Sequence, residues 1–255
     1  MRVLLLNPPG ERIYIRDYFC SKTTKSNYLF HPIDLVVLSG TIAAEHEVTV
    51  LDAMAEQLTI EQCEARLDAT DPQVIVSMVG SVSWEEDRAF LARQADRGRR
   101  VLAIGDVLHE NSEDRLRDEP WLEACLHVFA NADVLHYLAG RTDEIEDMTV
   151  RAEGGAPERL LRVERKHRTG DFRVPRPRHE LFPTSGYHFS FARSSNFATV
   201  LSDYGCPYPC TFCVIGTLGF QTRAIEDVLE ELDHLRDRGV HEIFFMDQTL
   251  SLIHI

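Results

Sequence analysis

The chain has 255 residues, of which 44% are hydrophobic and 27% are charged, a composition that argues against long-range disorder, collagen-like repeats and a disulfide-stapled miniature fold. Its 41 acidic and 27 basic residues give a formal charge of −14, which disfavours nucleic acid as a partner. No run of about 18 apolar residues occurs, so no transmembrane segment is predicted. We expect a protein of the reducing cytoplasm, whose six cysteines are thiols or metal ligands.

The first half of the chain alternates apolar runs of strand length with amphipathic segments of helix length. Strands are predicted at residues 3–6, 47–51, 73–79, 101–105 and 127–130, and helices at residues 34–45, 59–68 and 84–97. This alternation indicates a doubly wound, Rossmann-like α/β domain with a parallel sheet and helices on both faces. Ligands of such sheets collect at the carboxyl edge, where the loops here begin at Asn7, Asp52, Gly80 and Gly105.

The loop after the first strand, residues 8–31, is long for a βα connection. It combines four basic residues with four aromatic ones: Arg12, Arg16, Lys22, Lys25, Tyr14, Tyr18, Phe19 and Tyr28. Two interpretations stay open. The loop is a lid over a ligand, or it is a solvated loop whose aromatic side chains are tucked into the surface.

The alternation stops between residues 141 and 196, where Gly and Pro residues punctuate the chain. This pattern is typical of an interdomain connector, with a small hairpin near residues 159–163. Residues 151–180 contain nine basic and five acidic residues. This basic stretch either binds an anion or is a solvated linker that lies against the acidic domain before it.

Cys206, Cys210 and Cys213 lie within eight residues, directly after an apolar run at 196–202 that predicts another strand. Three thiolates on a short loop select soft metals, which means zinc or an iron–sulfur cluster. Structural zinc normally takes four ligands in two separated pairs, and no second pair follows this triplet. Three protein ligands suit a cluster with one iron left open to a small molecule.

The C-x₃-C-x₂-C spacing, with Phe212 just before the last cysteine, resembles the signature of the radical S-adenosylmethionine (SAM) superfamily. The resemblance implies that the three cysteines hold a [4Fe–4S] cluster whose fourth iron binds SAM. Reduction of the cluster then cleaves SAM to methionine and a 5′-deoxyadenosyl radical. The resemblance also implies that Phe212 lines the adenine side of SAM, and that a reductant such as flavodoxin or ferredoxin supplies the electron.

An amphipathic helix is predicted at residues 222–238, ending at Gly239, and a strand at residues 242–246. Strand, cysteine loop, helix and strand resemble the opening of the superfamily's βα barrel. The resemblance places Asp247 and Gln248 where family members, often with Gly-Gly-Glu, bind the amino group of SAM. The first two glycines are absent here, and an ordinary strand-end turn is the alternative interpretation.

A doubly wound domain before such a loop is similar to the cobalamin (B12)-binding radical SAM proteins, which include methyltransferases acting on unactivated carbon and the anaerobic magnesium-protoporphyrin ester oxidative cyclase. The resemblance implies that cobalamin contacts Asn7, Ser81, Ser83 and Gly105 at the sheet edge. The D-x-H-x-x-G sequence that supplies a histidine ligand in many cobalamin domains is absent. Two hypotheses follow: cobalamin binds without that histidine, or the domain binds no corrin.

These interpretations divide the chain into a B12-binding-like domain (1–140), a basic connector (141–196) and the first part of a radical SAM barrel (197–255). Six βα units of about 30 residues each need about 180 residues. We therefore expect a C-terminally truncated chain that is inactive as it stands, and residues 250–255 look like a broken reading frame. The complete enzyme is expected to catalyse methyl transfer or oxidative cyclisation on a small or lipid-like substrate. The alternative is a non-catalytic cobalamin- or metal-binding module with structural cysteines.

Overall fold

The structure is a computed structural model that describes residues 1–25, 28–109, 111–151, 160–162 and 168–249. Its strands are β1 (Arg2–Asn7), β2 (Tyr14–Ile15), β3 (Lys22–Thr23), β4 (Glu47–Asp52), β5 (Val74–Met78), β6 (Arg100–Ile104), β7 (Leu122–Leu126), β8 (Met148–Arg151), β9 (Leu160–Arg162), β10 (Arg168–Phe172), β11 (Phe197–Val200), β12 (Asp203–Gly205), β13 (Gly219–Arg223) and β14 (Glu242–Phe245). Its α-helices are α1 (Ile33–Ala43), α2 (Ile60–Thr70), α3 (Trp84–Asp96), α4 (Ser112–Asp118), α5 (Asp133–Leu138) and α6 (Ile225–Asp237). Within these ranges, no helix has both the length and the apolarity that crossing a bilayer requires.

A seven-stranded sheet in the order β4-β1-β5-β6-β7-β8-β9 forms the N-terminal part of the fold. The first five of these strands are parallel, and β8 and β9 continue the sheet in antiparallel pairing. Alternate residues of β1 enter two cores, Leu5 packing with α1 and α5 and Leu4 with α2, α3 and α4. Helices therefore cover both faces, which confirms the predicted doubly wound α/β fold. The strand order reverses between β1 and β5, the topological switch point.

Two details of this sheet differ from the sequence prediction. The fifth parallel strand is β7, whereas the sequence predicts this strand at residues 127–130. The prediction misses β7 because Glu123 interrupts its apolar run. The Glu123 carboxylate pairs with Arg100 of β6 at 2.6 Å, which makes a charged residue acceptable inside the strand. Residues 160–162 of the hairpin predicted near residues 159–163 form β9, which pairs antiparallel with β8 and extends the main sheet. Residues 152–159 and 163–167 of the predicted connector lie outside the described residues.

A second group of strands follows the connector. Strands β11 and β14 are parallel neighbours joined through α6, which agrees with the predicted order of strand, helix and strand. Helix α6 begins at Ile225 and not at residue 222, because β13 occupies the preceding residues and pairs with β10 and β12. Val228 and Leu235 of α6 are buried, whereas Ile225 and Leu229 are exposed.

The connector packs between the two groups of strands. A Cβ on Gly40 of α1 would lie 2.4 Å from the Pro175 carbonyl oxygen, so only glycine permits this close approach. On the other side, buried Glu231 of α6 accepts hydrogen bonds from Arg223 and from His179 Nε2 of the connector, the latter at 2.6 Å. The connector is therefore held by backbone packing on one side and by buried charge on the other.

Gly105 is expected to be intolerant of any side chain, because a Cβ there would lie 1.7 Å from the Val79 carbonyl oxygen. Gly105→Ala should lower the free energy of unfolding by about 3 kcal/mol, since two backbone segments of the core must move apart. Gly98→Ala is the matched control: Gly98 also has a positive φ (+84°) but nothing lies within 4 Å of its added Cβ. The control should cost about 1 kcal/mol. Equal losses for both variants in urea unfolding would show that the crowding at Gly105 is relieved.

Candidate functional site

The three clustered cysteines lie on the loop between β12 and β13. The two ends of this loop are pinched together, because the Cys206 N–H donates to the Gly219 carbonyl oxygen at 2.9 Å. Gly205 has a φ of +81°, and a Cβ on it would lie 2.1 Å from the same oxygen, so glycine is required there. The Cys213 N–H donates to the Cys210 carbonyl oxygen at 3.1 Å. The loop is thus a closed turn carrying three thiols just past a strand.

All three thiols are free, with Cys210 exposed and Cys206 and Cys213 half-buried. The Thr249 hydroxyl donates to Cys206 Sγ at 3.0 Å. Over the described ranges, no three His, Cys, Asp or Glu side chains converge closely enough to hold a metal, so the sulfurs are not brought together in this conformation. The donor set itself fits a soft metal or an iron–sulfur cluster, because it consists of three unpaired thiols on one short loop.

Phe212, predicted to line the adenine side of SAM, is 91% exposed beside the cysteines. An aromatic side chain so far from any core carries a large apolar surface in contact with water, and a bound planar group is one way to cover it. The nearby Tyr208 is also exposed. The role of Phe212 in SAM binding remains a prediction.

Asp247 and Gln248 lie just past the carboxyl end of β14, as the sequence predicts. Both carboxylate oxygens of Asp247 accept hydrogen bonds from within the chain. Oδ1 accepts from the backbone N–H groups of Ser202 (2.6 Å) and Asp203 (3.0 Å). Oδ2 accepts from the Ser202 hydroxyl. Asp247 therefore holds the end of β11 against the end of β14. Burial and the adjacent Asp247 raise the pKa of Asp203 to about 7.

An aromatic cavity of about 510 Å³ opens where the long first loop meets these strand ends. Its volume is in the range of small-molecule sites. The cavity is lined by Gln248 and Asp247, by Ile215 of the cysteine loop, and by Lys22. The aromatic residues that line this cavity are Phe19, Tyr28, Phe30, Phe189, Phe191, Phe244 and Phe245. Phe19, Lys22 and Tyr28 of the long first loop thus line a ligand-sized cavity, and the lid interpretation stays a prediction.

The four residues predicted to contact cobalamin lie at the carboxyl edge of the main sheet, as expected. Their polar groups are already engaged within the chain. The Asn7 side chain forms hydrogen bonds with Asp52 and Arg16. Ser81 donates its N–H and hydroxyl to Asp106, and Ser83 donates its hydroxyl to Asp87. Gly105 lies against the Val79 carbonyl. These residues therefore do not fit a preformed cofactor site in this conformation.

The sequence does not predict that Arg16 and Asp87 form a fully buried ion pair at 2.6 Å. The sequence shows both charged residues but does not indicate that they pair. Arg16 is one of four basic residues in the first loop, and Asp87 is one of three acidic residues in the first turn of α3. Nothing in the local pattern distinguishes these two from solvated neighbours, because their partners are distant in sequence.

A second cavity, of about 430 Å³, lies at the other end of β11 and is lined by His31 and His179. His31 stacks on Tyr187 with ring centroids 3.9 Å apart. Burial, with a contribution from nearby His179, lowers the pKa of His31 to about 3. Folding therefore disfavours the protonated imidazole.

The stability of the fold is accordingly expected to fall on acidification. The unfolded His31 binds a proton below its ordinary pKa of about 6.5, whereas the folded residue stays neutral until about pH 3. This one group should therefore remove up to about 1.4 kcal/mol of unfolding free energy per pH unit across that window. His31→Phe should flatten the pH dependence of urea unfolding by that amount. Parallel pH curves for the two proteins would contradict the assignment to His31.

Comparisons with known proteins agree with this architecture. No protein-family model matches the chain. An uncharacterized methyltransferase of Pyrococcus horikoshii is 26% identical over 272 residues, which covers 99% of this chain and 54% of that protein. The ribosomal protein uS12 methylthiotransferase RimO of Salmonella arizonae is 34% identical over 84 residues, covering 31% of this chain and 18% of the relative. The chain thus spans about half the length of the Pyrococcus relative.

A solved structure of similar fold is the cobalamin-dependent SAM radical enzyme OxsB, determined with aqua-cobalamin and SAM bound. It superposes with a TM-score of 0.65 at 16% identity, covering 97% of this chain and 34% of OxsB. At this identity the similarity establishes the fold. The shared fold agrees with the resemblance that the cysteine motif and the doubly wound domain predict, and the two sequence relatives are named for methyl transfer and methylthio transfer.

Proposed function

We propose that the protein is a radical SAM enzyme that uses a [4Fe–4S] cluster and cobalamin for methyl transfer to an unactivated carbon. The observation that carries the proposal is the set of three unpaired cysteines on one pinched loop beside an aromatic, ligand-sized cavity. Ile215 of the cysteine loop lines the cavity, and Thr249, which follows the cavity-lining Gln248 in the chain, contacts Cys206.

Cys206, Cys210 and Cys213 are the proposed cluster ligands. Their thiols are free, and Cys210 is open to solvent, so the loop can close around a cluster without breaking any disulfide among the described residues. When bound, the cluster supplies the electron that cleaves SAM. Gly205 and Gly219 keep the base of the loop narrow, which holds the first cysteine near the strand ends. A reductant such as flavodoxin or ferredoxin is the proposed electron source.

Different residues are proposed for binding and for positioning SAM. Gln248 lines the aromatic cavity and is proposed to meet the amino group of SAM, with Phe212 covering the adenine. Asp247 is proposed as a positioning residue, because its carboxylate already holds Ser202 and Asp203. The aromatic rings give the cavity a largely apolar wall, which suits a small or lipid-like substrate.

Methyl transfer is proposed over oxidative cyclisation because the names of both sequence relatives describe methyl or methylthio transfer. Cobalamin enters the proposal because OxsB was solved with it. The sheet-edge residues do not offer free polar groups to it, so no step of the reaction is assigned to cobalamin. The division into residues 1–140, 141–196 and 197–255, and a cytoplasmic location that keeps the thiols reduced, belong to the same proposal.

The proposal is tested by spectroscopy of the anaerobically reconstituted protein. After reduction with dithionite, we expect an electron paramagnetic resonance signal of a [4Fe–4S]⁺ cluster that changes shape when SAM is added, because SAM occupies the open iron. S-adenosylhomocysteine, which lacks the transferable methyl group, is the comparison ligand, and an apo sample without iron is the blank. A signal unaffected by SAM would contradict an open iron.

A further inference from the structure

The switch point of the main sheet, between the carboxyl ends of β1 and β5, is filled by the chain itself. In doubly wound sheets this crevice is the ordinary place for a ligand. Here the Arg16 side chain enters it and is fully buried. Its Nη2 contacts Asp87 Oδ1 at 2.6 Å, and its Nη1 donates to Asn7 Oδ1 and to the Pro8 carbonyl oxygen, each at 2.9 Å.

The groups around Arg16 are also satisfied from within the chain. Asp87 Oδ2 accepts from the Gly80 N–H at 3.0 Å and from the Ser83 hydroxyl at 2.7 Å. These two residues belong to the loop after β5, which would otherwise face a ligand. A ligand group entering here must therefore displace Arg16 and break these bonds, and each displaced group would remain buried.

The same network continues to the connector. The Asn7 amide donates to Asp52 Oδ1 at 2.9 Å, and the Tyr187 hydroxyl donates to Asp52 Oδ2 at 2.8 Å. Both Asn7 and Asp52 are buried. Tyr187 therefore closes the network from the side that faces β11, and opening the crevice would also release this contact between connector and sheet.

We infer that Arg16 closes the switch-point crevice, so that the protein does not admit the nucleotide tail of cobalamin between β1 and β5. This inference rests on the proposed function only for the identity of the corrinoid. The tail carries a phosphate, and placing that anion beside Asp87 after removing the cation that neutralises it is electrostatically unfavourable. Any corrinoid is then held by its ring, outside the crevice.

Cobinamide, which has the corrin ring but lacks the nucleotide tail, provides the test. We expect dissociation constants for cobinamide and cobalamin, measured by absorption titration of the protein without SAM, to agree within about tenfold. A preference for cobalamin of more than about tenfold would overturn the inference. Binding of neither corrinoid would agree with a closed crevice and would remove cobalamin from the proposed function, whereas loss of the cluster would leave this measurement unaffected.

A double variant tests whether Arg16 itself closes the crevice. Arg16→Ala with Asp87→Ala removes both charges together, which avoids leaving one buried ion unpaired. In the folded variant the preference for cobalamin should rise at least about tenfold. The exposed pair on the same helix, Glu85→Ala with Arg88→Ala, should leave the ratio unchanged. An unchanged ratio in a folded double variant would overturn the role of Arg16, and if that variant does not fold, the wild-type comparison decides alone.

Discussion

Cys210→Ala is expected to reduce the iron content of the reconstituted protein from about four irons per chain to less than about one, with loss of SAM cleavage. The physical reason is that two thiolates cannot hold a four-iron cluster that already leaves one iron without a protein ligand. Cys210 is exposed and its side chain packs in no core, so the fold should be unaffected. Iron and sulfide analysis, with circular dichroism as the check on folding, measures the effect.

Cys20→Ala is the matched control for this prediction. Cys20 is also an exposed free thiol, but it lies on the first loop, where it lines the aromatic cavity, and it is not one of the three clustered cysteines, so iron content is the measurement it controls. Its replacement should leave about four irons bound. If Cys210→Ala and Cys20→Ala both retained a full cluster, the assignment of Cys210 as a ligand would be wrong.

Glu231→Ala is expected to lower the free energy of unfolding by about 3–5 kcal/mol, because it leaves the Arg223 guanidinium buried without its counter-charge. The same change removes the partner of His179 Nε2, at 2.6 Å, which is one of the contacts between the connector and α6. Urea unfolding with circular dichroism detection measures the loss.

The neighbouring Glu230 provides the control. Its carboxylate is exposed and lies 3.6 Å from Arg176, which also belongs to the connector. A pair of this kind contributes about 0–1 kcal/mol, so Glu230→Ala should be nearly silent. Comparable destabilisation by the two variants would show that burial of the Arg223 charge is not what makes Glu231 important.

The parts of the fold that the sequence predicts correctly are those with strong local signals. Strand β5 is apolar except for Ser77, and α6 shows apolar residues at helical spacing and is followed by Gly239 two residues after its last residue, Asp237. The cysteine triplet is equally local, since its three thiols lie within one loop. In such cases the residues that determine the structure are neighbours in the chain.

The parts that were missed depend on partners distant in sequence. The sequence predicts the start of the fifth parallel strand five residues after the start of β7, because Glu123 interrupts the apolar run of β7. The residue that pairs with Glu123 inside the sheet, Arg100, lies on another strand. The pairing of Arg16 with Asp87 joins residues 71 positions apart. Burial of a charge is decided by such tertiary pairing, which the periodicity of a single segment does not encode.

Asp247 shows how a correctly located residue acquires a different role. The sequence places it at the end of β14, and the structure agrees. Its carboxylate binds the backbone of Ser202 and Asp203, so it joins the ends of the two parallel strands. The neighbouring Gln248 lines the cavity beside Asp247.

Metal and sulfide analysis of the anaerobically reconstituted chain tests the central claim most directly. The three thiols on the pinched loop predict about four iron and about four sulfide per chain, with the broad visible absorption of an iron–sulfur cluster. Cys206, Cys210 and Cys213 as ligands of a structural metal would instead give about one zinc per chain and no such absorption. That second result would contradict the proposed radical SAM chemistry and would make the chain a structural metal-binding module.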